Sequence, residues 1–353
     1  MRRHNVLYGE NGSGKTSLLE AIHVLGTARS FRSGRPKSQV QHGKDHYVVR
    51  GERQTLGTGT RAVGVQRSID GSATLRVGGE TTRSVAHLAD ELPLLALNSD
   101  SFELLIGEPA QRRRFLDWGV FHVEHDLREA RQQFQRALAQ RNNLLRRGRI
   151  DATELDVWTR EVALNGEAVS AGRSRFLEAI QSHLTPLLDE LSPELVEVQL
   201  SYRQGWDSGK SYREALEQGL TSDQEQGFTQ RGPQRADLRV QMGGYSAADT
   251  LSRGQQKLLV SAMKLAQVSL LAELGTSSML LVDDLPSELD ASRCEAVCGL
   301  LGRIPVQTMI TCVDPGMVPA SWLSKDDGDV AMFHVKHGTV NQVPICHSDP
   351  PEE

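Results

Sequence analysis

The chain has 353 residues, 38% of them hydrophobic, and a net charge of −5. That length can bury one large core or two medium ones without covalent staples, and the charge excludes a protein whose affinity for nucleic acid is written in its overall field. No run approaches the roughly 18 apolar residues of a membrane span, and only eight residues precede Gly9, too few for a signal peptide. A soluble, cytoplasmic protein is expected. The four cysteines, Cys294, Cys298, Cys312 and Cys346, follow no zinc spacing. The first two read as buried thiols on one helix, as in a reducing compartment.

Residues 5–8 form a short apolar run that predicts a buried strand, and residues 17–25 a helix with Leu18, Ile22 and Leu25 on its apolar face. Short apolar runs broken by Gly and Thr between Tyr47 and Val77 predict antiparallel strands. Residues 94–97 give a further apolar run. From about Glu124 apolar residues recur at helical spacing (Leu127, Phe134, Leu138, then Leu155, Trp158, Val162, then Phe176, Ile180, Leu184), which predicts a helical lobe. Pro186 and Pro193 are expected to punctuate its end, and residues 196–200 alternate like a half-buried strand. A polar segment over 222–235 leads to a helix over 254–274, a strand over 279–282, a helix over 292–301 and a strand over 306–311. Alternating strand and helix predicts an α/β fold with a mostly parallel sheet. The expected organisation is an N-terminal head part (1–123), a helical lobe (124–225) and a C-terminal head part (226–353). The last eight residues read as a loose tail.

Gly9-Glu10-Asn11-Gly12-Ser13-Gly14-Lys15-Thr16 is a complete phosphate-binding loop between strand and helix. Its glycines let backbone N–H groups converge on phosphate oxygens at a helix N-terminus. In this pattern Lys15 reaches the β and γ phosphates and the Thr16 hydroxyl binds Mg²⁺. Met279-Leu280-Leu281-Val282-Asp283-Asp284 has the form of a Walker B strand: Asp283 is the candidate Mg²⁺ ligand, and Asp284 the candidate group that orients or deprotonates water. Ser252, Arg253, Gly254 and Gln255, within Leu251-Ser252-Arg253-Gly254-Gln255-Gln256-Lys257, resemble the ABC signature LSGGQ, with Arg253 at its third place. Ser287-Glu288-Leu289-Asp290 follows in the manner of a D-loop. These motifs in this order resemble the ABC-type ATPases, in which the signature of one protomer closes over ATP bound by another.

The stretches GTARSFRS (26–33), EPAQRRRFLDWGVFH (108–122), TQRGPQRADL (229–238), LSRGQQKLL (251–259), VDDLPSELD (282–290) and MFHVKHG (332–338) resemble the RecF recombination mediator family over nearly the whole chain. The resemblance implies a P-loop ABC/SMC-like ATPase head with an inserted helical lobe, and a homodimer formed on ATP. It further implies binding to gapped DNA or single-strand/double-strand junctions, slow hydrolysis, and work with RecR and RecO to load RecA, in replication restart and SOS induction. On it, the arginines Arg112, Arg113 and Arg114, and Arg141, Arg146, Arg147 and Arg149, are candidate phosphate contacts. Read by themselves they are solvated helix faces.

The chain departs from the family in three places. Family members carry about two strands before the strand that leads into the phosphate loop, and a start assigned too late is the expected reason for their absence. Gln234 stands where the family has His, and Cys312 and Asp314 occupy the region where transporter ATPases place a switch His. A transporter subunit is the first alternative, although the distance from Thr16 to Ser252 is long for one; a nucleotide-gated scaffold with negligible hydrolysis is the second. Ser324-Lys325-Asp326-Asp327 reads as a charged turn rather than a guanine motif, and His334 and His337 as a strand and its turn rather than a metal pair.

Overall fold

The computed structural model describes residues 1–55, 59–147, 151–319, 322 and 329–344. In chain order the elements are β1 (His4–Tyr8), α1 (Lys15–Thr27), β2 (His46–Thr55), β3 (Gly59–Ser68), β4 (Ala73–Val77), β5 (Glu80–Thr82), α2 (Val85–Glu91) and β6 (Leu94–Leu97). There follow α3 (Glu103–Ile106), α4 (Pro109–Val123), α5 (Leu127–Leu145), α6 (Ala152–Leu191), β7 (Val198–Arg203), α7 (Tyr212–Gln218), α8 (Leu220–Gln226), β8 (Asp237–Met242), β9 (Tyr245–Ser246) and α9 (Ala247–Thr250). The chain then forms α10 (Arg253–Glu273), β10 (Met279–Val282), α11 (Leu285–Glu288), α12 (Ala291–Arg303), β11 (Gln307–Cys312), β12 (Val330–Lys336) and β13 (Thr339–Val343). Two compact units result, Met1–Ser101 with Val268–Glu353, and Phe102–Gln267.

In the first unit a six-stranded sheet runs β13-β12-β1-β11-β10-β6, parallel except for β13. Parallel strands are covered on both faces, so their sequences are apolar throughout rather than alternating. Val6, Leu7, Leu280, Leu281, Val282, Met309 and Ile310 are accordingly buried. One face packs Leu19 of α1 against Leu7, Leu94, Leu281, Met309 and Val335. A second, antiparallel sheet runs β2-β3-β4-β5. Its inward residues Val63, Val65, Leu75 and Val77 close on Val24 and Leu25 of α1 and Leu88 of α2. The antiparallel strands expected from the short apolar runs between Tyr47 and Val77 are those of this sheet.

The second unit is built on α5 and α6, which pack side by side. Asp151 caps α6 by accepting hydrogen bonds from the Thr153 and Glu154 amides. Phe134, Ala137, Val162, Val169 and Tyr212 form its core. Gly119 of α4 lies so close to α6 that a Cβ there would meet the Phe176 ring at 1.9 Å. A three-stranded sheet, β7-β8-β9, completes the unit.

This unit begins at Phe102 and ends at Gln267, wider than the lobe expected over 124–225, because α4 packs on both α6 and β8. Pro186 does not punctuate it. The proline lies inside α6, which continues to Leu191, since Leu184, Leu187 and Leu188 on either side are buried. Their packing outweighs the one amide donor that proline removes. The polar segment over 222–235 places Asp223 and Thr229 in the interior. Arg141, fully buried, donates to Asp223 (2.8 Å), Thr229 (2.6 Å) and Thr159 (3.1 Å), while Asn142 accepts from the Thr229 amide at 2.8 Å. The polarity of 222–235 thus serves an internal network. Of the remaining expectations, Arg149, residues 324–327 and the tail with Cys346 lie outside the described residues.

Removing one partner of a buried ion pair strands the other charge, which typically costs about 3–5 kcal/mol. Asp223→Ala should therefore lower the stability of the Phe102–Gln267 unit by about that amount. The measurement is urea unfolding followed by hydrogen exchange on α5 and α6; an unmoved midpoint would show that the pair contributes nothing.

Candidate nucleotide site

β1 ends in the first unit at Tyr8, and the phosphate loop follows at once: Gly9, Glu10, Asn11, Gly12, Ser13 and Gly14, then Lys15 and Thr16 in the first turn of α1. Gly9 (φ 153°), Gly12 (φ 79°) and Gly14 (φ 110°) hold backbone angles that favour glycine. At Gly9 a Cβ would also meet the Val335 carbonyl at 2.3 Å. The loop is braced from outside by the two-residue turn of the β12–β13 hairpin, where the Gly338 amide donates to the Ser13 carbonyl at 2.8 Å. The Lys15 ammonium, largely buried, donates to the carbonyls of Gly9 (2.5 Å) and Glu10 (2.9 Å), and the buried Ser13 hydroxyl has no partner. A phosphate would give both of these donors an acceptor.

The strand order explains what lies beside the loop. β11 sits between β1 and β10, so the C-terminal ends of all three stand in a row. The Thr16 hydroxyl donates to Asp283 Oδ1 at 3.0 Å, and the Thr311 hydroxyl donates to the same oxygen at 2.7 Å. Thr311 in turn accepts from the Asp284 amide at 2.8 Å. Asp284 adopts a left-handed conformation, φ 56° and ψ 47°, which an aspartate holds only at some cost in strain. Its Oδ1 is buried and without a hydrogen-bond partner. One carboxylate is thus joined to the loop hydroxyl, and the next has a buried acceptor unused.

Thr311 is the residue that sequence reasoning missed. Its only signal in the sequence is a hydroxyl at the end of an apolar strand. Asp290, the last D-loop residue, caps α12 by accepting from the Arg293 amide at 3.0 Å. The side chains of Ser287 and Glu288 lie outside the described ones.

The signature residues belong to the second unit. Ser252 caps the 21-residue α10 in a reciprocal box: its hydroxyl accepts from the Gln255 amide at 3.3 Å, and the Gln255 side chain accepts from the Ser252 amide at 3.0 Å. Ser252 and Arg253 are exposed and Gly254 half-buried, which leaves a helix N-terminus open to an anion.

The arginine runs divide. Arg112 forks onto Asp237 (2.7 and 3.2 Å) and donates to the Gly107 carbonyl, Arg113 donates to the Ala236 carbonyl, and Arg141 is the buried partner of Asp223. These three hold the second unit together, and Arg141, fully buried, is not available as a phosphate contact. Arg114, Arg146 and Arg147 face solvent.

A phosphate loop after the first strand of a central parallel sheet, a strand-end carboxylate bonded to its threonine, and a serine-glycine turn opening a long helix define a P-loop ATPase head of the ABC/SMC type. The model of the RecF/RecN/SMC N-terminal domain matches residues 1–340. The DNA replication and repair protein RecF of Pseudomonas paraeruginosa is 45% identical over 352 residues, 98% of this chain and 94% of that protein. Among solved structures, the recombination mediator protein RecF with ATP, from the RecFOR pathway, has a TM-score of 0.83 at 24% identity. The same mediator with ATPrS gives 0.80 at 25%, and each covers 97% of this chain and 92% of the other. The chain belongs to the RecF family of DNA replication and repair proteins.

Cys312, at the end of β11, is fully buried, and burial pushes its thiol up to about 12 although Lys15 pulls it down. At about pH 8 only about one thiol in ten thousand would be the reactive thiolate. Iodoacetamide should leave Cys312 unmodified in the folded protein and label it after denaturation, as read by peptide mass spectrometry. Rapid native labelling would mean that this strand end opens.

Proposed function

We propose that this chain is an ATP-dependent DNA-binding switch of repair and replication. ATP and Mg²⁺ join two copies into a dimer on gapped DNA or a single-strand/double-strand junction, and weak hydrolysis releases it. The observation that carries this reading is the bond from the Thr16 hydroxyl to Asp283, beside an Asp284 with a buried, unused oxygen. Backbone amides of the loop and Lys15 suit the triphosphate. Thr16 and Asp283 would hold Mg²⁺, which would neutralise charge on the triphosphate. Asp284 is the group suited to orient an attacking water. The exposed turn at Ser252, Arg253, Gly254 and Gln255 suits the γ-phosphate held by a partner copy. The relative solved with ATPrS supports the nucleotide, and the RecFOR pathway in its name supports work alongside RecO and RecR in loading RecA, with SOS induction as a consequence. No helix among the described residues is long and apolar enough to cross a membrane, and a cytoplasmic location fits this work.

Asp284→Asn keeps a residue type that tolerates the left-handed conformation, so its effect should be chemical rather than structural. It should lengthen the life of ATP-bound dimers on gapped DNA several-fold, read by stopped-flow dissociation. Lifetimes equal to wild type would favour the second reading, a nucleotide-gated scaffold in which hydrolysis does not govern release.

Thr311→Val removes the hydroxyl that orients Asp283, and the loss of such a supporting group typically weakens a metal site about 10- to 100-fold. The Mg²⁺ concentration needed for half-maximal nucleotide binding should rise by about that factor. An unchanged requirement would remove Thr311 from the site.

A further inference from the structure

Among the exposed arginines of the second unit, Arg160 and Arg213 meet Asp156, and Arg175 meets Glu124. Arg203, Arg231 and Arg235 are exposed and, among the described residues, none of the three forms an ion pair. All three line one cavity of about 570 Å³, together with Trp206 and Asp207. Three unneutralised cations at one concavity repel one another, and they raise the local potential for an anion.

The cavity is built rather than incidental. Gly205 (φ 94°) approaches Gly232 so closely that a Cβ would meet the Gly232 carbonyl at 2.2 Å, and the Gly232 amide donates to the Gly205 carbonyl at 3.1 Å. That contact pins the segment after β7 to the segment before β8. Arg231 donates to the Ala215 carbonyl at 2.9 Å, and the Arg235 guanidinium lies 5.6 Å from the centre of the Phe228 ring. Trp206 stacks on the buried Tyr212 at 4.5 Å and 24°, with its indole N–H donating to the Lys210 carbonyl. Tyr212 donates in turn to the Arg231 carbonyl at 2.8 Å. Asp207, the one carboxylate, accepts from the Gly209 amide and has Lys210 at 3.6 Å, so it does little to cancel the three arginines.

We propose that this cavity binds an unpaired nucleotide of single-stranded DNA, its phosphates on Arg203, Arg231 and Arg235 and its base against Trp206. Guanidinium forks match phosphate oxygens, and an indole fixed by its neighbours is a stacking platform for any base. The volume lies within the range of sites that enclose small ligands. Bases in a duplex are stacked inside the helix and do not enter a recess of this kind, whereas a single strand can splay one out. The inference rests on the DNA-binding function proposed above and assigns the single-stranded side of the junction to this unit.

The test is fluorescence anisotropy of the full chain with ATP and Mg²⁺, on labelled oligo-dT, a blunt duplex and a gapped duplex, across a salt series. Arg203→Gln with Arg235→Gln should weaken oligo-dT binding and flatten its log–log salt slope by about 1.4, the change expected when two phosphates of a single strand are no longer neutralised. Blunt-duplex affinity should stay as in wild type. Trp206→Ala should weaken oligo-dT binding about tenfold without changing the slope, and Asp207→Asn, which keeps the Gly209 hydrogen bond, should tighten it. Thermal melting identifies a variant that has merely unfolded, and Asp207→Asn tests the site by a gain that unfolding cannot mimic. Wild-type affinity and slope in the arginine double variant would overturn the proposal, as would equal losses on oligo-dT and blunt duplex. So would a dTMP affinity matching that of oligo-dT, which would make this a free-nucleotide site, or a loss confined to a poly-glutamate peptide, which would make it a protein-docking site. Failure of the wild type to bind any of the three DNAs would instead overturn the function proposed above.

Discussion

The parallel pairing of β11 between β1 and β10 is the constraint on which the nucleotide site depends. Register matches Leu7 to Thr311 and Val282 to Ile310, so the loop after β1 and the acids after β10 emerge on the same edge, with Thr311 between them. Each strand is buried on both faces, and a slip of one residue would carry polar strand ends into the core. Hydrophobic burial in the sheet therefore sets the separation of Thr16 and Asp283, groups 267 residues apart in sequence.

Around that edge the backbone is held tightly where a polyphosphate suits it. Gly9 packs on the Val335 carbonyl, and the hairpin turn at His337 and Gly338, both at positive φ, bonds back to the loop. Both turn residues in that conformation match a type I′ hairpin, whose twist follows the flanking strands. Tyr8 and His334, at paired positions in β1 and β12, stack at 5.0 Å beneath it. A loop preorganised in this way need not be ordered at the moment of binding, and an anion would give the unpartnered Ser13 hydroxyl an acceptor.

In the second unit charge is divided between cohesion and surface. Arg112, Arg141 and Arg173 each have a carboxylate within 2.8 Å, and through Asp237, Asp223 and the Pro233 carbonyl they tie helices to the segment over 222–237. That network fixes the backbone from which Arg231 and Arg235 project. That the buried arginines are the paired ones follows from the cost of burying an unpaired charge. A net charge of −5 conceals this arrangement, since a sum over the chain carries no information on where charges converge.

The phosphate loop, the Walker B strand, the signature turn and the alternation of strand and helix around them were legible in the sequence, whereas α2, α4, β8 and β9 were not. Each legible feature is a local pattern of spacing and polarity fixed by backbone sterics and burial. Gly9, Gly12 and Gly14 hold positive φ in this loop, and Met279-Leu280-Leu281-Val282 is buried. Tertiary structure alone decided what depends on distant residues meeting. Thr311 joined the site because β11 inserts between β1 and β10, Pro186 stayed inside α6 because its neighbours are buried, and Arg112 and Arg141 became internal because Asp237 and Asp223 face them. The role of an arginine is set by whether a carboxylate lies within a few ångströms, and that distance is a property of packing rather than of sequence spacing.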